Sequence, residues 1–488
     1  MGRTDLRATV LGPHEPALQP HVRPPTCLPR GIPAMPTPPR HHRSVAAAFT
    51  TLCALLALSA CTAGLDDDAG TVDPSAGTSG RDDLLTEGGE LLIWAWEPTL
   101  NQVVADFEAD YPNVDVELAN VGTGNDHYVS LQNAISAGSG VPDIAQVEYH
   151  ALRQFTIADS LADLSPYGAT DLSRTFSPGT WDAVTGGTDA VHALPMDSGP
   201  MALFYNQRVF ADAGVAVPTT WEEFIDAAEA IHTHDPDTYI TADNGIATVT
   251  TSMIWQAGGH PFQVEGTDVT VDLADEGTLK FARMWQQLID AGLVADIPDW
   301  SDEWFQGLSD GSIAALVTGA WMPANLTTGA APASGDWRVA RMPQWTEGAN
   351  QTAELGGSAL ALTEASQAKE LAYAFLKYAN IGDGVTTRLD AGAFPATMRD
   401  LTDPAFLAQE PEYFGGQQIN RILADSATHV LPGWQYLPYQ VHANTIYPDT
   451  VGQAYTGSRT LTEGLADWQE SILGYGDEQG FTVGHPSE

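Results

Sequence analysis

Past residue 90 the chain alternates between two hydrophobic rhythms. Leu91-Leu92-Ile93-Trp94-Ala95-Trp96 is a short unbroken apolar run, the mark of a strand buried on both faces. Leu100, Val103, Val104 and Phe107 then fall at i, i+3, i+4 and i+7, an amphipathic helix opened by Pro98. Val114, Val116 and Leu118 alternate as a second strand. Leu131, Ala134, Ile135 and Gly138 predict another helix, and Asp143-Ile144-Ala145-Gln146-Val147 a third strand. This β-α-β-α-β order is that of an open parallel sheet with helices on both faces.

The second region repeats the grammar. Met201-Ala202-Leu203-Phe204-Tyr205 reads as a strand, and Thr220-Trp221-Glu222-Glu223 as a capping box opening a helix whose buried face is Phe224, Ala228 and Ile231. Phe281, Trp285, Leu288 and Ile289 form an apolar stripe ended by Gly292, Ile313-Ala314-Ala315-Leu316-Val317 reads as a strand, and Leu371, Phe375 and Tyr378 mark a further helix. No repeat or coiled coil is evident. The fold class is α/β in two lobes.

Charge narrows the partners. The chain has 20 Lys and Arg against 63 Asp and Glu. Eight of these lie before Cys61, leaving 14 basic and 61 acidic residues from there on, a net charge of −47. Such a body repels nucleic acid and anionic headgroups and suits neutral or cationic ligands. The cysteines are Cys27, Cys53 and Cys61, so the remainder of the chain holds no disulfide and no thiolate metal site.

Cys61 has a context of its own. Arg40-His41-His42-Arg43 precedes an apolar run over 44–57, too short for a comfortable membrane span, and Leu58-Ser59-Ala60-Cys61 closes it. This stretch resembles the lipobox of bacterial lipoproteins. The resemblance implies export, a diacylglyceryl group on the Cys61 thiol and cleavage that makes Cys61 the N-terminus. Residues 1–60 form the signal region, of which 1–34, rich in Pro and Arg and followed by Met35, are consistent with a mis-assigned start. Residues 61–89, rich in Gly, Ser and Asp, read as a flexible tether.

Five stretches in order resemble the extracellular solute-binding proteins, family 1, of ABC transporters, the group that includes maltose-binding protein. They are the first strand, 91–97; Phe107-Glu108-Ala109-Asp110-Tyr111-Pro112; Gly140-Val141-Pro142-Asp143-Ile144; residues 194–206 with the following Pro218-Thr219-Thr220-Trp221-Glu222-Glu223-Phe224; and 311–321, departing from the family pattern at Ile313 and Ala315. The resemblance implies a periplasmic-binding-protein-like fold whose lobes close on a ligand by hinge motion. It also implies crossovers near 197–201, 355–358 and 382–385. An N-terminal lobe would then comprise 90–198 and 358–382, and a C-terminal lobe 199–357 and 383–488. The implied partners are a small carbohydrate and the permease transmembrane subunits, with the protein a monomer tethered outside the membrane through Cys61.

Sugar recognition needs flat apolar faces for pyranose C–H surfaces and planar polar groups for hydroxyls. Trp96, at the end of the first strand, and Trp321, at the end of the 311–321 block, match positions where the family places cleft residues. Trp255 is a candidate for either cleft or core; Phe394 and Tyr436 are further aromatic candidates. Glu148 follows a strand at its carboxyl end, where ligands sit in open α/β sheets, and Asp197 sits at the first crossover. Each carboxylate can accept two hydroxyl protons. Gly356 and Gly357 allow close backbone approach, and Ser358 offers a hydroxyl. No cofactor and no catalysis are expected. A secreted glycoside hydrolase using paired carboxylates such as Glu148 and Asp197 is the competing reading, but no Gly-x-Ser-x-Gly or His-Glu-x-x-His motif accompanies them. His232-x-His234 with Asp235 lacks further ligands at metal-site spacing, so no metal is expected.

Overall fold

The structure, a computed structural model, describes residues 85–485. The signal region, the lipobox and nearly all of the tether lie outside the described residues. Among the described residues no helix is long and apolar enough to cross a membrane.

One sheet of five strands orders as Val114–Ala119, Gly89–Trp94, Ile144–Glu148, Ser358–Leu362, Ala193–Pro195. Gly89–Trp94 runs parallel to both neighbours, as the β-α-β-α-β pattern predicts, while Ser358–Leu362 returns antiparallel between Ile144–Glu148 and Ala193–Pro195. The continuous apolar runs are explained by burial on both faces. Every residue of Ser358–Leu362 is buried, and so are the first four of Ile144–Glu148. Helix Leu100–Asp110 buries Leu100, Val103, Val104 and Phe107, the spaced set read from the sequence. The Phe107 ring meets those of Phe375 and Tyr378 at 5.1 and 5.0 Å, tying helix Lys369–Ile381 to the same core.

The second sheet departs from expectation. Met201–Asn206 lies between Ala315–Gly319 and Trp337–Ala340 and is antiparallel to both. Strand–helix alternation does not produce a parallel sheet here, because the segment after residue 206 builds its own helical core before the chain returns to the sheet. That core is aromatic, with Trp221, Trp285 and Trp468 fully buried. Helix Trp221–His234 is capped by Thr220, whose hydroxyl accepts from the Glu223 N–H. The predicted box is shifted by one residue: the Glu223 carboxylate takes the N–H and hydroxyl of Thr219, each at 2.7 Å. A complete box, Thr460 with Glu463, opens helix Leu461–Glu478 instead.

Segments joining the two cores lie side by side. Asp197 bridges Pro395, and Pro200 bridges Glu354. The third crossing is later than the 382–385 expected. Helix Asp383–Asp390 stays with the first core, Thr387 donating to Asp106 Oδ2 at 2.8 Å and Arg388 to the Met196 carbonyl at 2.6 Å. The passage falls near 391–398, where Phe394 joins the core of the second sheet and Ala396 the first. A start of the second lobe at 383 is therefore corrected: Arg388 and Thr387 anchor that helix to the first.

Candidate functional site

A cavity of about 530 Å³ opens where the carboxyl ends of the first sheet face the second core. Gln146, the buried polar residue of strand Ile144–Glu148, organises its first wall. Its Oε1 accepts the N–H groups of Trp96 and Glu97, both at 3.0 Å, and its Nε2 donates to the Ser358 hydroxyl at 3.1 Å. One amide thus fixes the end of the first strand and the second crossover. The Ser358 N–H donates in turn to Asp197 Oδ1 at 2.6 Å. Glu148 is held by Tyr128, whose hydroxyl donates to Glu148 Oε2 at 2.8 Å while accepting from the Glu148 N–H at 3.1 Å. Trp96 is braced edge-on by His127, ring centroids 4.9 Å apart. Burial pushes the His127 pKa down to about 4, so that ring is neutral.

The facing wall is aromatic. Trp321 donates its indole N–H to the Leu355 carbonyl at 2.7 Å. Glycines leave room for it: a methyl group on Gly319 would meet the indole nitrogen at 2.4 Å, and one on Gly356 would meet it at 3.1 Å. Trp300 stacks on Trp321 with centroids 5.7 Å apart, and half of its surface is exposed. Its φ of 66° places a bulky residue in the left-handed region, a strained conformation of the kind stored at functional sites. Trp300 was not singled out by the sequence, although Pro298-Asp299-Trp300 before the Ser301 helix cap is a visible turn signal.

Carboxylates complete the lining: Glu97, Glu148, Asp197, Asp243 and Asp299, with no lysine or arginine among the described residues that line it. Burial pushes Asp197 up to about 6, opposed by the nearby Arg388 guanidinium. Burial, and then the neighbouring Asp243, push Asp299 up to about 7. Asp243 is raised by burial too, although it accepts from Trp285 Nε1 and the Tyr455 hydroxyl, each at 2.9 Å. Near neutral pH Asp197 and Asp299 can donate as well as accept. The arrangement offers indole faces flanked by acceptors and exchangeable protons, which fits a polyhydroxylated neutral molecule.

Of the residues selected from sequence, Trp96, Glu148, Asp197, Trp321, Gly357 and Ser358 line this cavity together. Trp255 and Tyr436 do not. Trp255 is buried against Trp434, rings stacked at 5.1 Å, and both residues border a different cavity. Phe394 is 5 % exposed and packs on Phe406 in the core of the second sheet, and it does not line this cavity. His232 presents Nδ1 to the Thr238 carbonyl at 3.0 Å and its face to Tyr239, so the histidine pair is part of a helix end. Gln146, Tyr128, Asp243 and Asp299 were overlooked; only Gln146, polar within an apolar strand, carried a local signal.

Residues 95–380 match the family described as bacterial extracellular solute-binding protein. The chain belongs to this family. An ABC transporter associated binding protein from B. animalis subsp. lactis Bl-04, solved in complex with beta-1,6-galactobiose, is 43 % identical, with a TM-score of 0.74 over 81 % of this chain and 99 % of that one. The galacto-N-biose-/lacto-N-biose I-binding protein of Bifidobacterium longum, solved with lacto-N-biose, is 25 % identical, with a TM-score of 0.70 and the same coverage. The arabinooligosaccharide-binding protein of Halalkalibacterium halodurans is 22 % identical over 403 residues, 78 % of this chain and 88 % of the relative. The solute-binding protein described here therefore has the two-lobed α/β fold of periplasmic binding proteins, with the cavity between its lobes.

Proposed function

We propose that this solute-binding protein is the receptor of an ABC importer. It closes on a neutral short saccharide, of the size and kind of a β-linked galactosyl disaccharide, and passes it unchanged to permease subunits. The observation that carries the reading is the cavity itself, where Trp96, Trp300 and Trp321 stand among five carboxylates with no lysine or arginine among the described residues that line it. The B. animalis subsp. lactis relative held with beta-1,6-galactobiose supports the ligand class. Acidic walls disfavour anionic sugars, since a bound carboxylate would sit unpaired beside Glu148 and Asp197.

Calorimetric titration tests this. Saturable heat is expected with beta-1,6-galactobiose or lactose, and none with a uronic-acid disaccharide under the same conditions. Heat with peptides or polyamines and none with any neutral saccharide would overturn the reading.

The receptor acts as a monomer tethered by a lipid on Cys61, which keeps it near the permease. Cys61→Ala is expected to release the protein from membranes into the medium. Retention of the variant in the membrane fraction would contradict the anchor.

A further inference from the structure

A second cavity, of about 430 Å³, is also built from both lobes. The ring of Tyr149 stands between it and the first: Tyr149 borders the second cavity and lies 2.7 Å from where a methyl group on Gly357 would be. Helices Tyr149–Ile157 and Pro178–Thr185 form one wall, with Leu152 on it. The loop over 431–436 forms the other, as a rigid aromatic surface. Trp434 stacks flat on Trp255, which is itself pinned by an N–H bond to the Leu431 carbonyl at 2.8 Å, and Tyr436 meets Trp434 edge-on at 6.0 Å.

Into this apolar space comes one cation, Arg153. Its guanidinium donates to two carbonyls, Gly186 at 3.3 Å and Val264 at 3.2 Å, but its Nε is buried without a partner. No carboxylate among the described residues forms an ion pair with it. Asp182 also borders the cavity, and burial raises its pKa, but it forms no ion pair with Arg153. A half-buried guanidinium without a counter-charge is costly, in a chain with three acids for every base. A carboxylate in the cavity supplies the missing counter-charge.

We propose that this cavity is a second ligand site, for a small apolar acid whose ring or branched chain packs on Trp434 and Leu152 and whose carboxylate binds Arg153. The site is independent of the saccharide cavity.

Phenylacetate and its uncharged isostere phenylacetamide serve as probes, titrated against the purified protein and followed by calorimetry. The wild type is expected to bind phenylacetate saturably and at least tenfold more tightly than phenylacetamide. Arg153→Gln should abolish that preference, Arg153→Lys should retain part of it, and Trp321→Ala should leave it unchanged. The acid-over-amide comparison in the wild type needs no variant, so it stands even if a substitution unfolds the protein. No saturable binding of phenylacetate, equal affinity for acid and amide, an undiminished preference in Arg153→Gln, or loss of binding in Trp321→Ala would each overturn the proposal.

Discussion

Trp321→Ala is expected to weaken saccharide binding by roughly 2 kcal/mol or more, about thirtyfold in Kd, while leaving the fold intact. Three features set the size of this effect. The indole is fixed by its bond to the Leu355 carbonyl and by the space that Gly319 and Gly356 leave around it, so its face is offered without further ordering. Truncation also removes the surface on which Trp300 stacks and frees a side chain already held in a strained backbone conformation. Stability changes less, because Trp321 is only half-buried and lies at the margin of both neighbouring cores. Titration calorimetry beside a thermal melt separates the two effects. Unchanged affinity in a folded variant would remove Trp321 from the site.

The second large effect concerns pH. Glu354 lies at the second crossover, 3 % exposed, with Oε2 accepting from the Gly199 N–H at 2.6 Å and Oε1 buried without a partner. Burial pushes its pKa from the usual 4.5 up to about 8, and the nearby Asp197 carboxylate adds to the rise. The folded state therefore holds this proton more tightly than the unfolded chain does. The stability so gained is complete below the ordinary glutamate value and is lost as pH rises through about 8. Asp197, raised to about 6, works in the same direction over a lower window. Glu354→Gln has the shape of the protonated acid and cannot ionise. Its stability is expected to match wild type near pH 4.5 and to exceed it by about 2–4 kcal/mol near pH 8.5. Urea denaturation at the two pH values measures this. A variant no more stable than wild type at the higher pH would show that Glu354 is ionised at little cost in the fold.

The first lobe was legible because its strands are covered on both faces. Leu91–Trp94, and Ile144–Val147 apart from Gln146, had to be apolar, and Phe107 had to follow Val103 and Val104 on one helix face. The second sheet was misread because pairing direction is set by where a chain returns, and Met201–Asn206 finds partners more than a hundred residues away. The same distance limits the site. Trp96, Glu148, Asp197, Trp321, Gly357 and Ser358 could be selected because strand ends and crossovers in this topology converge. Trp255 and Phe394 could not be told from them, since an aromatic residue near a turn has the same local pattern whether it faces a cleft or a core. Trp300, Asp243 and Asp299 come from loops and a strand end without periodicity, and only the folded backbone brings them to the cavity wall.

The central claim is that two lobes close on a neutral saccharide and release it unaltered. Small-angle X-ray scattering during titration with beta-1,6-galactobiose, with the sugar recovered and weighed by mass spectrometry afterwards, tests it most directly. The account predicts a saturable contraction of the radius of gyration and the disaccharide returned intact. A radius that does not change at saturation, or recovery of free galactose, would contradict it.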